Sequence, residues 1–322
     1  MTPAIAAKLL AEGAVVAFPT ETVYGLGADA VNNAAVEKIF AIKGRPADHP
    51  VIVHVAGIGD LAEWSRDPSP AALALAKAFW PGPLTLIVPK SSRVASVVTG
   101  GQLSVGIRCP SHPVARELLR EFGRIGSGAI AAPSANRFGH VSPTTAEHVR
   151  SEFGGSVPVL EGGACDVGLE STIVDLSRGR PVLLRPGGIS RAQIAEVLGE
   201  EPLERDADAP RASGTLAAHY APATALSLVT ASRLAAELGE RSDVAVLAFG
   251  EAPANAKAIS WIPAKQDASR YAHDLYANLR KLDAAGAKRI LVEAPPSTPD
   301  WEAVNDRLAR AAAGSLALDD ET

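Results

Sequence analysis

Short apolar runs that stop abruptly in polar loops recur along this chain, and that recurrence restricts it to layered α/β folds. Gly13 to Phe18 reads as a buried strand that ends at Pro19-Thr20-Glu21-Thr22. The pattern repeats at Val51 to Val55, Leu84 to Val88, Leu103 to Arg108, Ala129 to Ala132, Ser171 to Leu176 and Pro181 to Leu184. Stretches with helical spacing lie between them. In Ala34 to Ala41 the apolar Val36, Ile39 and Phe40 share a face, and Asn32 or Asn33 can cap it. Pro70 to Trp80 and Val114 to Phe122 follow, the latter entered through Pro113, where a missing N–H costs least. Polar residues at the carboxyl ends of strands are where such folds gather ligand chemistry.

At 322 residues the chain exceeds the usual size of one core. Between Glu200 and Pro222 charged residues cluster, Ala209-Pro-Arg-Ala-Ser-Gly214 intervenes and hydrophobic periodicity lapses. The expected organisation is therefore an α/β domain over 1–199, a linker over 200–223 and a small Rossmann-like domain over 224–322. In the last, strands at Ala225 to Val229, Val244 to Phe249, Ala258 to Ile262 and Arg289 to Val292 alternate with helices near Ala231 to Leu238, Ala268 to Ala285 and Trp301 to Ala313. No Gly-x-Gly-x-x-Gly follows a strand there, so the sequence gives little support for dinucleotide binding.

A formal net charge of −5 argues against a protein that coats nucleic acid by bulk electrostatics, so any phosphate site must be local. Cys109 and Cys165 are too far apart for a zinc knuckle and too few for a disulfide framework; two idle thiols are expected. Residues 1–12 begin an amphipathic helix without the basic start and apolar core of a signal peptide, and no run of eighteen uncharged apolar residues exists. A cytoplasmic location is the expectation.

The densest chemical candidate is Lys43-Gly44-Arg45-Pro46 with His49 and His54 nearby. Lysine supplies a compact ammonium, arginine a planar fork for two phosphate oxygens, and the glycine between them lets backbone approach a ligand. Alone, the same residues are equally well a solvated basic turn at a helix C-terminus. Ala132-Pro133-Ser134-Ala135-Asn136 places a hydroxyl and an amide two residues apart, which in extended chain sends both toward one side; alone, it is a plain turn. Ser142 fits a helix N-terminus as readily as a site. Arg108, Ser171 and Arg185 each stand at the edge of an apolar strand, where only convergence would make them a site. A P-loop, a Gly-x-Ser-x-Gly elbow and a His-Glu-x-x-His helix are absent from the sequence. Ser134 with His54 or His140 could form a nucleophile and base in principle, without any local arrangement to support it.

Six segments in order, Pro19-Thr-Glu-Thr-Val-Tyr-Gly-Leu-Gly27, Lys43-Gly-Arg-Pro46, Pro50 to Val55, Pro81-Gly-Pro-Leu-Thr85, Ala132-Pro-Ser-Ala-Asn136 and Glu170-Ser-Thr-Ile-Val-Asp175, closely resemble the YrdC-like threonylcarbamoyl-AMP synthase family. Ser213-Gly214 and His219-Tyr220-Ala221-Pro222 resemble the linker of its longer, two-domain branch. The resemblance implies a YrdC-like twisted open sheet with helices, followed by the small α/β domain. It implies ATP, L-threonine and bicarbonate or CO2 as substrates, with Mg2+ arriving on the ATP phosphates. Threonylcarbamoyl-AMP and pyrophosphate would be the products, the former passing to a separate tRNA threonylcarbamoyl transferase that modifies an adenosine next to the anticodon. Carried over by motif, Thr22, His54, Arg108, the Ala132 backbone and Ser171 would receive threonine. ATP would meet Lys43, Arg45, His49, Ser104, Ser134, Asn136, Ser142 and Arg185, with Tyr220 of the linker closing over it. Lys43 and Arg45 would be catalytic. Position 49 departs from the family's asparagine, although histidine can still donate one hydrogen bond.

Two other readings stay open at this level. YrdC-like folds can present a basic concave surface to double-stranded RNA, which the acidic average disfavours beyond a weak contact. A related domain adenylates carbamoyl groups during hydrogenase maturation, but the accompanying acylphosphatase and zinc-finger segments are not in this sequence. No exposed hydrophobic seam stands out, so a monomer is expected.

Overall fold

The computed structural model describes residues 1–254 and 256–319. The chain divides into two units, one made of residues 1–138 and 143–215, the other of residues 139–142 and 216–322.

In the first unit, strands β1 (Val16–Phe18), β2 (Gly25–Asp29), β3 (Ile52–His54), β4 (Leu84–Pro89), β5 (Ser104–Arg108), β6 (Ile130–Ala132), β7 (Thr172–Asp175) and β8 (Val182–Arg185) form one sheet in the order β1-β2-β6-β3-β5-β4-β7-β8. The β3–β5 and β4–β7 pairs are parallel and the other neighbours antiparallel. Because side chains alternate along a strand, each strand feeds both faces. On one face Val53, Leu84, Leu86, Val88, Val105 and Ile107 join the main core with Val36, Ile39 and Phe40 of helix Asn33–Lys43 and Leu75 of helix Pro70–Phe79. Each such fully buried side chain contributes about 1.5–3 kcal/mol.

The opposite face is covered only in part by apolar packing. At one end, helices Pro3–Ala11 and Pro113–Ile125 lay Leu10, Leu118 and Phe122 against Phe18, Ile130 and Ala132. At the other end, Ala209 and Ala212 pack on Ile87, Ile173, Val182 and Leu184. The strip between these patches carries polar residues, and it is there that the candidate site lies.

Several local expectations are met. Asn32 caps its helix, its Oδ1 accepting from Ala35 N at 3.1 Å, and Pro113 opens the helix it was expected to open. Gly44 ends helix Asn33–Lys43 at φ 64°, a left-handed conformation that suits glycine and turns the chain toward Arg45. Both cysteines are buried, and burial pushes the thiols up to about 11 for Cys109 and about 12 for Cys165, so they stay protonated. No helix among the described residues is long and apolar enough to cross a membrane.

Strand β2 was not anticipated. A side chain at Gly27 would place its Cβ 2.6 Å from Ile130 Cγ2 and 2.8 Å from Phe18 Cε1, so close packing demands a residue that weakens the strand signal. Helices Ala146–Phe153 and Arg191–Leu198 were also missed, being eight residues each. The first is capped by Thr145 rather than by Ser142. The stretch expected as linker begins by joining the first unit: Leu203 N donates to Pro181 O and Leu183 N to Leu203 O, both at 2.9 Å.

The second unit holds β9 (Leu226–Val229), β10 (Val244–Phe249), β11 (Ser260–Ala264) and β12 (Arg289–Glu293), all parallel, in the order β11-β10-β12-β9. Helices Ala231–Glu240, Ala268–Asp283 and Glu302–Asp319 alternate with them, as the Rossmann-like reading requires.

Candidate active site

Register fixes the first half of the site. Across the sheet, Ile130, His54, Arg108, Thr85 and Ile173 are successive cross-strand partners, so their side chains stand on one face in a row. Arg108 is 4% exposed, and three of its nitrogens are engaged by neighbours. Nη1 donates to Thr22 Oγ1 at 2.8 Å, Nε to Gly82 O at 3.4 Å, and Nη2 lies 2.7 Å from Glu21 Oε1. Thr22 is itself bound to Thr20 Oγ1 at 2.9 Å. His54 sits beside Arg108; burial, reinforced by the Arg108 charge, brings its pKa down to about 3, so the imidazole is neutral. Ser171 completes this half through Thr85, the two hydroxyls 2.8 Å apart. Ala132 pairs with Ile52 in the next row, which brings its backbone alongside β3.

The second half is cationic. Lys43, at the last turn of its helix, is 3% exposed and donates from Nζ to Ser134 O at 2.6 Å and to Asn136 O. Burial strips the ammonium of water and Arg45 repels it, so its pKa falls well below that of an ordinary lysine. Arg45 donates to Pro50 O at 2.8 Å and to Ser213 Oγ at 3.4 Å. Arg185 donates to Ser171 O at 3.0 Å, to Ser171 Oγ at 3.1 Å and to Ser213 O at 2.8 Å. Ser213 thus bridges the two arginines, and Ser171 joins Arg185 to the Arg108 row. Ser104 and Gly106 of β5, with Pro50, Ile52, Ile87 and Ser213, line a recess over the sheet. Burying this many cations costs several kcal/mol per ion unless their donors are satisfied. The oxygens named above offset part of that cost, and a bound anion would offset more.

His49 stands apart from this core. It is half-buried, 3.9 Å from Asp48 Oδ1, with its ring edge-on to Phe138 at 5.4 Å, and burial and Arg45 keep its pKa below the usual histidine value. Ser142 and Tyr220 belong to the second unit. Ser142 is fully buried, and His140 forms a bridge with Ala221. Tyr220 is 1% exposed, stacked on Tyr276 at 5.7 Å, with the Arg307 guanidinium 5.3 Å from its ring. Its φ of 62° is one that non-glycine residues rarely adopt. In this conformation the ring offers almost no surface to a ligand.

Sequence reasoning passed over three residues that the structure ties to the site. Glu21 sits inside a quoted motif but looked out of place among anion-binding groups. Thr85 is the single hydroxyl in the apolar strand Leu84–Pro89, and the period-two pattern of that strand places it opposite the core face. Ser213 appeared only as a linker residue.

The comparisons with known proteins agree with this architecture. Residues 8–187 match the Sua5/YciO/YrdC family, described as Telomere recombination, and residues 189–313 match the family described as Threonylcarbamoyl-AMP synthase, C-terminal domain. A Threonylcarbamoyl-AMP synthase of Pyrococcus abyssi is 39% identical, with 95% of this chain and 93% of the relative covered. One of Bacillus subtilis is 40% identical, covering 97% and 93%. The crystal structure of P. abyssi Sua5 complexed with L-threonine superposes with a TM-score of 0.88 at 38% identity, covering 97% of this chain and 94% of that one. With both halves matched in order and the polar strip in place, the chain belongs to the Sua5/YciO/YrdC family, in the form that also carries the threonylcarbamoyl-AMP synthase C-terminal domain.

Proposed function

We propose that this chain is a threonylcarbamoyl-AMP synthase: an adenylyl-transferring enzyme that joins L-threonine, bicarbonate or CO2, and ATP, and releases pyrophosphate. The observation that carries the reading is that Ser213 joins buried Arg45 to buried Arg185, and Ser171 and Thr85 join Arg185 to the row of Arg108, with buried Lys43 two residues before Arg45. The reaction asks for that arrangement. Threonine's amine combines with CO2 to give a carbamate, and a carbamate oxygen attacks the α-phosphorus of ATP while the bond to the β-phosphate oxygen breaks. Two anions must therefore meet, and preorganised cations are the means of allowing it.

The family pattern supplies the roles. Arg108, with Thr22, His54, Ser171 and the Ala132 backbone, receives threonine; its guanidinium grips the carboxylate. Lys43, Arg45 and Arg185 hold the phosphates and the charge that grows on them, with Ser104, Ser134 and Asn136 alongside. His49, half-buried and close to Asp48, is a peripheral ATP contact. Ser142 and Tyr220 remain assigned to ATP by family pattern, and Tyr220 would have to leave its packing on Tyr276 to serve. Mg2+ would arrive on the ATP phosphates. There it supplies further neutralisation of phosphate charge. The carbamate is the nucleophile, so no serine or cysteine need attack. The product would pass to a tRNA threonylcarbamoyl transferase in the cytoplasm.

Purified protein given ATP, threonine, bicarbonate and Mg2+ should release pyrophosphate only when threonine is present. Pyrophosphate release indifferent to threonine would reject the reading.

A further inference from the structure

The Arg108–Glu21 pair has more capacity than its own contact uses. Both side chains are buried, at 4% and 5% exposure, and Nη2 lies 2.7 Å from Oε1, yet neither atom makes an aligned hydrogen bond. The other Glu21 oxygen accepts from Ser111 N at 3.1 Å, and Val167 N donates to the Glu21 backbone oxygen at 2.7 Å, so the carboxylate is held in place. Burial pushes the Glu21 carboxyl up, but Arg108 and the Ser111 N–H outweigh it and leave its pKa below the ordinary value, so it is ionised. Arg108 has five N–H donors; with Nε on Gly82 O and one Nη1 proton on Thr22, at least one proton on each terminal nitrogen remains. A donor pair and an adjacent anion, both buried, match the two charges of a zwitterion, which are separated by only one carbon in an α-amino acid.

We propose that Glu21 is a specificity-determining residue that makes the Arg108 site select an α-amino acid over a plain carboxylate, its Oε1 receiving the α-ammonium of the bound substrate while Arg108 holds the carboxylate. This rests on the reading of Arg108 as the threonine-carboxylate site. A simple carboxylate placed on Arg108 would face the Glu21 charge without compensation, whereas threonine brings its own cation.

The test compares L-threonine with 3-hydroxybutyrate, which keeps the carboxylate and hydroxyl and lacks the amine, by calorimetric titration of the full chain. Wild-type protein should bind threonine at least ~10-fold more tightly. Glu21→Gln should shrink that preference by roughly tenfold, while Glu21→Asp, which keeps the charge, should retain most of it. A merely structural salt bridge would weaken both ligands alike and leave their ratio unchanged, which overturns the proposal. So does equal binding of the two ligands by wild-type protein, an arm that needs no variant to fold. Arg108→Ala separates the two claims. If threonine affinity survives it, the threonine reading of Arg108 fails; if affinity is lost there but Glu21→Gln keeps the preference, only the Glu21 inference falls.

Discussion

The sheet of the first unit and the sheet of the second are made from the same kind of apolar strand, but their buried cations are used differently. In the second unit Arg307, 1% exposed, has Nη1 2.6 Å from Asp306 Oδ2 and lies over the Tyr220 ring. Its charge is matched by its own neighbours. In the first unit Lys43 rests on the carbonyls of Ser134 and Asn136, and Arg185 on Ser171 and Ser213. Neutral oxygens satisfy donors without cancelling charge, whereas Arg108 on the same face of the sheet lies 2.7 Å from Glu21 Oε1.

That contrast can be broken most sharply at its cationic end. Lys43→Ala and Arg45→Ala should each lower kcat/KM by about 10³-fold, roughly 4 kcal/mol of transition-state stabilisation, with circular dichroism unchanged. Activity within tenfold of wild type would move the phosphate site elsewhere. The second unit should respond in stability instead. Leu291→Ala, in a fully buried position against Val244 and Val246, should cost about 3 kcal/mol in denaturant unfolding and leave kcat unaltered while the protein is folded. A loss of kcat at unchanged stability would mean that this sheet takes part in the chemistry.

Smaller effects are expected at Tyr220 and in the pH dependence of stability. Tyr220→Ala should raise the ATP KM by roughly tenfold and speed hydrolysis of the adenylate if the ring covers ATP during turnover. If both quantities stay put, Tyr220 serves only its packing with Tyr276 and Arg307. The smallest effect is on pH dependence. The folded pKa of Lys43 is depressed, so between that value and ~10.4, where the unfolded chain's lysine titrates, the unfolded state binds more protons and stability should rise with pH. Lys43→Met should flatten that rise in pH-dependent unfolding. An unchanged slope would show that Lys43 keeps its proton in the fold.

How much of this was legible before the structure depends on which interactions are local. The strand ends, the Asn32 cap and the Pro113 helix entry were readable because each is set by a few consecutive residues. Strand β2 was not, because Gly25 and Gly27 answer to Phe18 and Ile130, which lie elsewhere in the chain. The site residues came from motif order rather than from spacing. Their convergence is a matter of register: His54, Arg108 and Thr85 lie on three different strands, and only cross-strand pairing shows that they share a face. The period of two could have exposed Ser104, Gly106 and Arg108 as one face of β5, with Val105 and Ile107 on the other. Ser213 had no such signal, since its role depends on where residues 200–215 return to the sheet.

In the proposed mechanism the cationic strip brings a threonine carbamate to the α-phosphorus of ATP. This is tested most directly by incubating the full chain with ATP, threonine, Mg2+ and carbon-13 bicarbonate and analysing the products by mass spectrometry. Wild-type protein should yield an adenylate containing both threonine and the labelled carbon, and Lys43→Ala little of it. An adenylate lacking the label, or equal yields from the two proteins, would contradict the mechanism.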